Sequence, residues 1–169
     1  MQALVRFFWE MFLLRRRPQD LPASTPLTVL LLLVNLVVGT VGSGQMFESA
    51  ATALSANVLD AALLAVLLGI ALQLRGHLER WQQTYACFLG IGALVGLAML
   101  LYRLPLNLLA LDELVDTLNL ILVIWAHVVL GHVLRHAIQV PLGLGVVVAF
   151  VYTLFSLRIV SYYFPIVTL

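Results

Sequence analysis

Five apolar stretches, each near the roughly 20 residues that cross a hydrocarbon core about 30 Å thick, constrain this chain more than any other feature. They cover residues 27–44, 58–74, 84–102, 117–134 and 141–161. Lipid offers no water to an open backbone donor or acceptor, so such segments close their hydrogen bonds internally as helices or laterally in a barrel. No ten-residue pattern of alternating hydrophobicity supports a barrel. The fold expected is therefore all-α, a polytopic membrane helix bundle with five transmembrane helices. Composition agrees: 63% of the 169 residues are hydrophobic and 10% are charged, against about 25% charged in a soluble domain. The longest aqueous connections fall at residues 45–57 and 103–116, and Pro141 opens the fifth span in the first helical turn, where its missing N–H costs nothing.

Arginine sets the orientation. The chain has no lysine, and its nine arginines stand against eight acids, so the net charge of +1 points to no nucleic-acid partner. Seven arginines (Arg6, Arg15, Arg16, Arg17, Arg75, Arg80 and Arg135) fall on the side that carries the N-terminus, leaving Arg103 and Arg158 opposite. Positive residues in short loops stay cytoplasmic, which gives a cytoplasmic N-terminus and an outer C-terminus. Glu48, Asp112, Glu113 and Asp116 then lie in outer loops, with Asp60 near an outer helix end.

The N-terminal run 1–14 is too short to cross and ends in Arg15, Arg16, Arg17 and Pro18. A signal peptide carries its charge before the apolar run, and so does a twin-arginine signal; here the order is reversed. Gln2, Arg6 and Glu10 form a narrow polar stripe beside a broad surface of Leu4, Phe7, Phe8, Met11, Phe12 and Leu14, the pattern of an interfacial amphipathic helix. Arg15, Arg16 and Arg17 can reach anionic lipid headgroups at roughly 1 kcal/mol each. Pro18 and Pro22 end the helix. Residues 1–24 thus read as an interfacial helix with an arginine-rich anchor, and residues 25–169 as the five-helix transmembrane domain.

Ionisable and polar groups inside spans are expensive, so each is weighed. His127, near mid-membrane, suits a proton relay or cofactor ligand, but a hydrogen bond to a neighbouring helix is the commoner role. His132 and His136 have metal-binding spacing, yet no glutamate stands between them and no carboxylate is near in sequence, so an interfacial role weighs more. No second span offers His127 a facing axial ligand for haem. Arg158 gates a pathway, snorkels, or pairs with Asp60 or Asp116. Asn35 and Asn119 read as interhelical hydrogen-bonders worth on the order of 1 kcal/mol or less each, with Tyr152 alongside them. Gly92 and Gly96 make a GxxxG for helix packing in the third span. The single cysteine, Cys87, lies in an apolar run and supports neither a disulfide framework nor a metal cluster. Triads, phosphate loops and paired deep carboxylates are missing from the pattern, so neither an enzyme nor a cofactor is expected; His127 acting with Thr153 or Tyr152 is the weakest alternative.

The stretch QDLPAS before the first span, GHLERWQQTYACFLGIGAL at residues 76–94, and the run from Trp125 through His132 and Arg135 to Pro141 resemble the Yip1-domain family of five-helix membrane proteins. The resemblance spans about residues 15–160. Where eukaryotic members carry an acidic-aromatic-Gly-Pro motif, only Asp20-Leu21-Pro22 stands, and their Gly-Tyr pair has no clear counterpart. The short, lysine-free chain is similar to bacterial members, which implies the inner (plasma) membrane of a bacterium. The resemblance implies an integral membrane scaffold or interaction protein without covalent chemistry, with membrane lipids, other membrane proteins or a second copy as partners. The alternative is a small transporter or channel subunit in which Asn35, Asn119, His127 and Arg158 line a polar path. Convergence of those four on one cavity favours transport; separate helix contacts favour the scaffold.

Changing Arg15, Arg16 and Arg17 together to glutamate is expected to weaken the cytoplasmic orientation of the N-terminus, read as a fraction of an N-terminal reporter appearing outside. A reporter that stays wholly cytoplasmic assigns the orientation to the remaining arginines.

Overall fold

A computed structural model describes residues 2–167, with six α-helices, three short 3₁₀ turns and no strand among them. Met1, Thr168 and Leu169, the last two at the end of the 25–169 domain, lie outside the described residues. The helices are α1 (Gln2–Phe12), α2 (Thr25–Ser43), α3 (Ala50–Leu74), α4 (Trp81–Leu108), α5 (Asp112–Ala137) and α6 (Leu142–Tyr163). The last five, α2 with its following 3₁₀ turn and α4 with its preceding one, are long and apolar enough to cross a membrane. The chain is accordingly a multi-pass integral membrane protein.

Helix ends differ from the hydropathy pattern in two places. Residues 45–57 are mostly helical: the Ser49 side chain caps α3 by accepting from the Thr52 N–H at 3.1 Å, and Ala50, Ala51, Ala53 and Ala56 are strong helix formers. Residues 103–116 close to a connection of Leu109, Ala110 and Leu111. Pro105 stays inside α4 because so near the C-terminus it removes one hydrogen bond rather than breaking a long ladder. Hydropathy reports where lipid contact ends, and these helices continue past it.

Three helices finish in the same device, a Schellman motif with a left-handed residue. Arg15 N–H donates to Glu10 C=O at 2.8 Å and Leu14 N–H to Met11 C=O at 2.9 Å; Gly76 and Ala110 take the equivalent position after α3 and α4. Glycine adopts that conformation freely, whereas Leu14 (φ 60°) and Ala110 (φ 54°) hold it against steric cost. At Leu14 the motif turns the chain back so that the arginines return over α1.

Helix α4 is the most buried span and packs closely against α2 on one side and α5 on the other. Helix α6 packs on α5, while α3 packs on α2 and touches α4 and α6 more lightly. Glycines set two of these approaches. Gly92 and Gly96 of α4 face Asn35 and Val38 of α2. Gly131 of α5 and Gly145 of α6 meet backbone to backbone, a crossing that no GxxxG spacing marks because the two glycines are on different helices.

Helix α1 lies on the bundle. Phe7, Phe8 and Met11 are buried, with the Phe8 ring over Gly90 of α4, and Leu4, Phe12 and Leu14 pack at the edge of the core. Most of the apolar face expected to make a surface helix is thus spent on protein. Val5, Trp9 and Leu13, spaced by four, stay exposed on another side.

An added methyl at Gly131 falls 2.6 Å from the Val146 backbone nitrogen, and one at Gly96 falls 2.7 Å from the Val38 side chain. Gly131→Ala is therefore expected to destabilise the detergent-solubilised protein by about 1–3 kcal/mol, and Gly96→Ala by less, since a side chain yields more readily than a backbone. Paired thermal-unfolding midpoints check the ranking; equal midpoints contradict it.

Candidate functional site

Two polar assemblies stand out, one at the arginine-bearing end and one between the spans. At the arginine end, the chain between α1 and α2 is stitched across α4 and α5. Trp125 Nε1–H donates to Phe12 C=O at 3.1 Å, Gln19 Nε2–H to His136 C=O at 2.8 Å, and Gln83 Nε2–H to Leu21 C=O at 2.7 Å. Pro18 and Leu21 are buried beneath these bonds. The last carbonyls of α5, which have no partner within their own helix, are taken by two arginines. Arg75 Nε–H donates to Ile138 C=O at 3.1 Å, and Arg80 to His136 and Ala137 C=O, both at 3.3 Å.

The three arginines of the anchor have different surroundings. Arg15 is exposed. Arg16 bonds Glu10 through Nε at 2.6 Å, and Arg6 bonds the other oxygen at 2.8 Å. Arg17 supplies its N–H to the Asp20 carboxylate at 3.0 Å, holding the 3₁₀ turn Pro18–Asp20. The charge-assisted bond from Arg16, and then that from Arg6, hold the Glu10 carboxyl below the usual carboxylate range, and Glu10 in turn pushes the Arg16 guanidinium up. His132 is buried with Nε2 2.9 Å from Arg16 C=O, and His136 packs its ring edge-on to His132 at 4.6 Å. This pair pins the N-terminal segment. Among the described residues no three His, Cys, Asp or Glu side chains gather as metal ligands.

The four intramembrane polar residues do not meet. Asn35 donates to Leu89 C=O at 3.1 Å across α2–α4. Asn119 accepts from Tyr102 O–H at 2.7 Å across α4–α5. His127 sits 2.8 Å from Val123 C=O through Nδ1 and 3.1 Å from the Thr153 hydroxyl through Nε2, across α5–α6. A carbonyl only accepts, so Nδ1 carries the proton there. Arg158 is exposed and forms no ion pair among the described residues. Of the readings open for Arg158, pairing with Asp60 or Asp116 does not occur; for Asp60 the reason is geometric, since Ser156, which faces α3, lies two residues earlier and two residues turn about 200° around a helix.

Asp60 has a different environment. It stands on the third turn of α3, not at a helix end, because α3 starts at Ala50. Tyr152 O–H of α6 donates to Asp60 Oδ1 at 2.8 Å, and the buried Ser156 hydroxyl donates to the same oxygen. These groups border a cavity of about 390 Å³ where α3 packs lightly, between α2, α4, α5 and α6. Of the four residues expected to line a path, only Asn35 borders it; Thr153, the partner of His127, borders it too. Position along the chain does not mark Asp60, Asn57 and Ser156 as a set. The signal that finds them is the Tyr152–Ser156 spacing of four on α6, together with a lone carboxylate in an otherwise apolar helix.

Because the folded-state pKa of Glu10 is lowered, its ion pairs hold the Arg15–Arg17 segment back against α1 above the ordinary glutamate pKa and lose that hold as pH falls through the lowered value. Protease cleavage at the Arg15–Arg17 segment is expected to speed up over that acidic window in the native protein. In Glu10→Gln the rate should be raised at neutral pH and flat through the window; a native-like pH profile in the variant contradicts the assignment.

Compared with models of protein families, with curated proteins and with solved structures, the chain matches none.

Proposed function

We propose that this chain is a non-catalytic membrane scaffold or interaction protein, laid out like the Yip1-domain proteins that its QDLPAS and 76–94 segments resemble. In this reading it sits in a bacterial inner membrane with the N-terminus and the arginine end cytoplasmic and the C-terminus outside. The observation that carries it is the docked N-terminal segment. Buried Phe8, Met11, Pro18 and Leu21 hold the backbone while Arg6, Arg15, Arg16, Arg17 and Arg135 remain exposed at one end. A rigid basic surface at the membrane boundary suits recruitment of an acidic partner or anionic lipid, since little ordering entropy is left to lose on binding. The exposed Val5, Trp9 and Leu13 stripe supports interfacial seating of α1, with Trp9 at headgroup level.

Purification in mild detergent, run in parallel for the native chain and the variant with Arg15, Arg16 and Arg17 changed to glutamate, tests this. The expected result is one chain that co-purifies in fixed ratio with the native protein and is lost from the variant. A sample holding lipid alone in both overturns the scaffold reading.

The second reading, a small transporter or channel subunit, is favoured by the Asp60 cavity. It expects thiol reagents added from opposite sides of the membrane to reach cysteines placed at Ser161 and Leu130 at the two ends of that cavity, each from its own side. Labelling from one side only removes it.

A further inference from the structure

The hydrogen bonds around the Asp60 cavity leave an asymmetry between donors and acceptors. Donors are nearly all spent. Tyr152 and Ser156 give their protons to Asp60 Oδ1. Both N–H bonds of the Asn57 amide are used, on Ala53 C=O at 2.8 Å and the Ser43 hydroxyl at 3.1 Å. Ser43 and Ser161 return their own protons to helix carbonyls one turn back, and the single Thr153 proton goes to Ala149 C=O or to His127 Nε2. Asn35 gives one N–H to Leu89 C=O. Because carbonyls only accept, the amide orientations of Asn35 and Asn57 follow from these partners.

Acceptors are left over. Asp60 Oδ2 receives no hydrogen bond from the described residues and is absent from their buried unpartnered atoms, so it is accessible, and Asp60 lines the cavity. Among the described residues no arginine or histidine lines the wall. The remaining lining is hydrocarbon, including Leu64, Phe88, Ile91, Val95 and Leu130. A carboxylate inside a membrane span, bordering an apolar chamber with no basic side chain among its described lining residues, takes either a proton or a counter-charge from outside the protein. A hard divalent cation takes six or more oxygens and is held more tightly the more of them are charged, and Asp60 is the one carboxylate among the described lining residues. A primary ammonium offers three donors on one charge, and its alkyl tail matches the walls. The volume of about 390 Å³ lies at the small end of ligand pockets.

We infer that the cavity is a binding site for a primary ammonium group on a short apolar body, with Asp60 Oδ2 as counter-ion and Tyr152 and Ser156 fixing the carboxylate from behind. Beyond the C-terminal end of α2, Met46, Phe47 and Ile166 border the cavity, and Val167 N–H bonds Met46 C=O at 3.0 Å. Such a group is supplied either by a free amine or by an aminophospholipid headgroup. The site goes beyond the scaffold reading and requires no transport, so neither reading falls with it.

The test is calorimetric titration of the full chain in lipid-free detergent with hexylammonium, hexanol and hexanoate. Hexylammonium is expected to bind at least about tenfold more tightly than hexanol, and hexanoate not at all. Asp60→Asn, which keeps the shape and an acceptor for Tyr152 and Ser156, should lose at least about tenfold for the amine and nothing for the alcohol. Equal binding of amine and alcohol, no binding of either at millimolar concentration, or an unchanged amine affinity in Asp60→Asn overturns the inference. The ligand series needs no substitution, so a variant that fails to fold leaves the test decisive. Repeating it in phosphatidylcholine nanodiscs with and without phosphatidylethanolamine identifies the source: competition by the ethanolamine lipid assigns the site to a headgroup, and its absence to a free amine. Proton uptake at Asp60 without amine binding counts as overturning.

Discussion

A polar atom inside a lipid-embedded bundle has to find its partner within the protein, and this requirement organises nearly everything described above. The main chains of the spans meet it by being helical. Their ends meet it through left-handed closures after α3 and α4, as α1 does outside the spans, and through Arg75 and Arg80 on the last carbonyls of α5. The side chains meet it in pairs across seams: Asn35 with Leu89, Tyr102 with Asn119, His127 with Thr153. Each bond is modest on its own. Leaving any of these groups open in hydrocarbon costs more, which is why the pairings specify the helix neighbours.

The same requirement explains why the N-terminal segment belongs to the bundle. His132 and Trp125 of α5 and Gln83 of α4 would face the core end with unspent nitrogen atoms; the backbone of Phe12, Arg16 and Leu21 receives them. Phe8 fills the space that Gly90 leaves open on α4. Folding the segment down therefore satisfies α4 and α5 and leaves its arginines outward, linking core packing to the surface on which the scaffold reading rests.

Helix α3 is the exception in this economy of pairs. It packs on α2 but only lightly on α4 and α6, and the cavity sits where that packing thins. Asp60 shows how much depends on a helix boundary. Hydropathy alone starts the second span at residue 58 and puts the carboxylate at its edge, where water and Arg158 would serve it. With α3 beginning at Ala50, the same residue is inside the bundle and is served by Tyr152 and Ser156.

The number of spans, their helical nature and the lopsided arginine distribution were legible in the chain because they depend on local composition and on distances along the sequence. Gly92 and Gly96 were visible for the same reason, being one turn apart on one helix, whereas Gly131 and Gly145 meet only across α5 and α6. Candidate side chains were legible as types but not as sets: Asn35, Asn119, His127 and Arg158 share the property of being polar in an apolar run, and nothing in that property says which way each one points. Helix rotation and helix neighbours, decided by the packing of α4 against α2 and α5, turned three of them into separate seams and sent Arg158 outward. The sequence by itself determined that this is a five-span helical membrane chain, since lipid leaves the backbone only helices or a closed barrel and no stretch alternates as a barrel strand does. Only the tertiary structure decided that Asp60 faces a cavity and that α1 belongs to the core, because both rest on contacts between residues tens of positions apart.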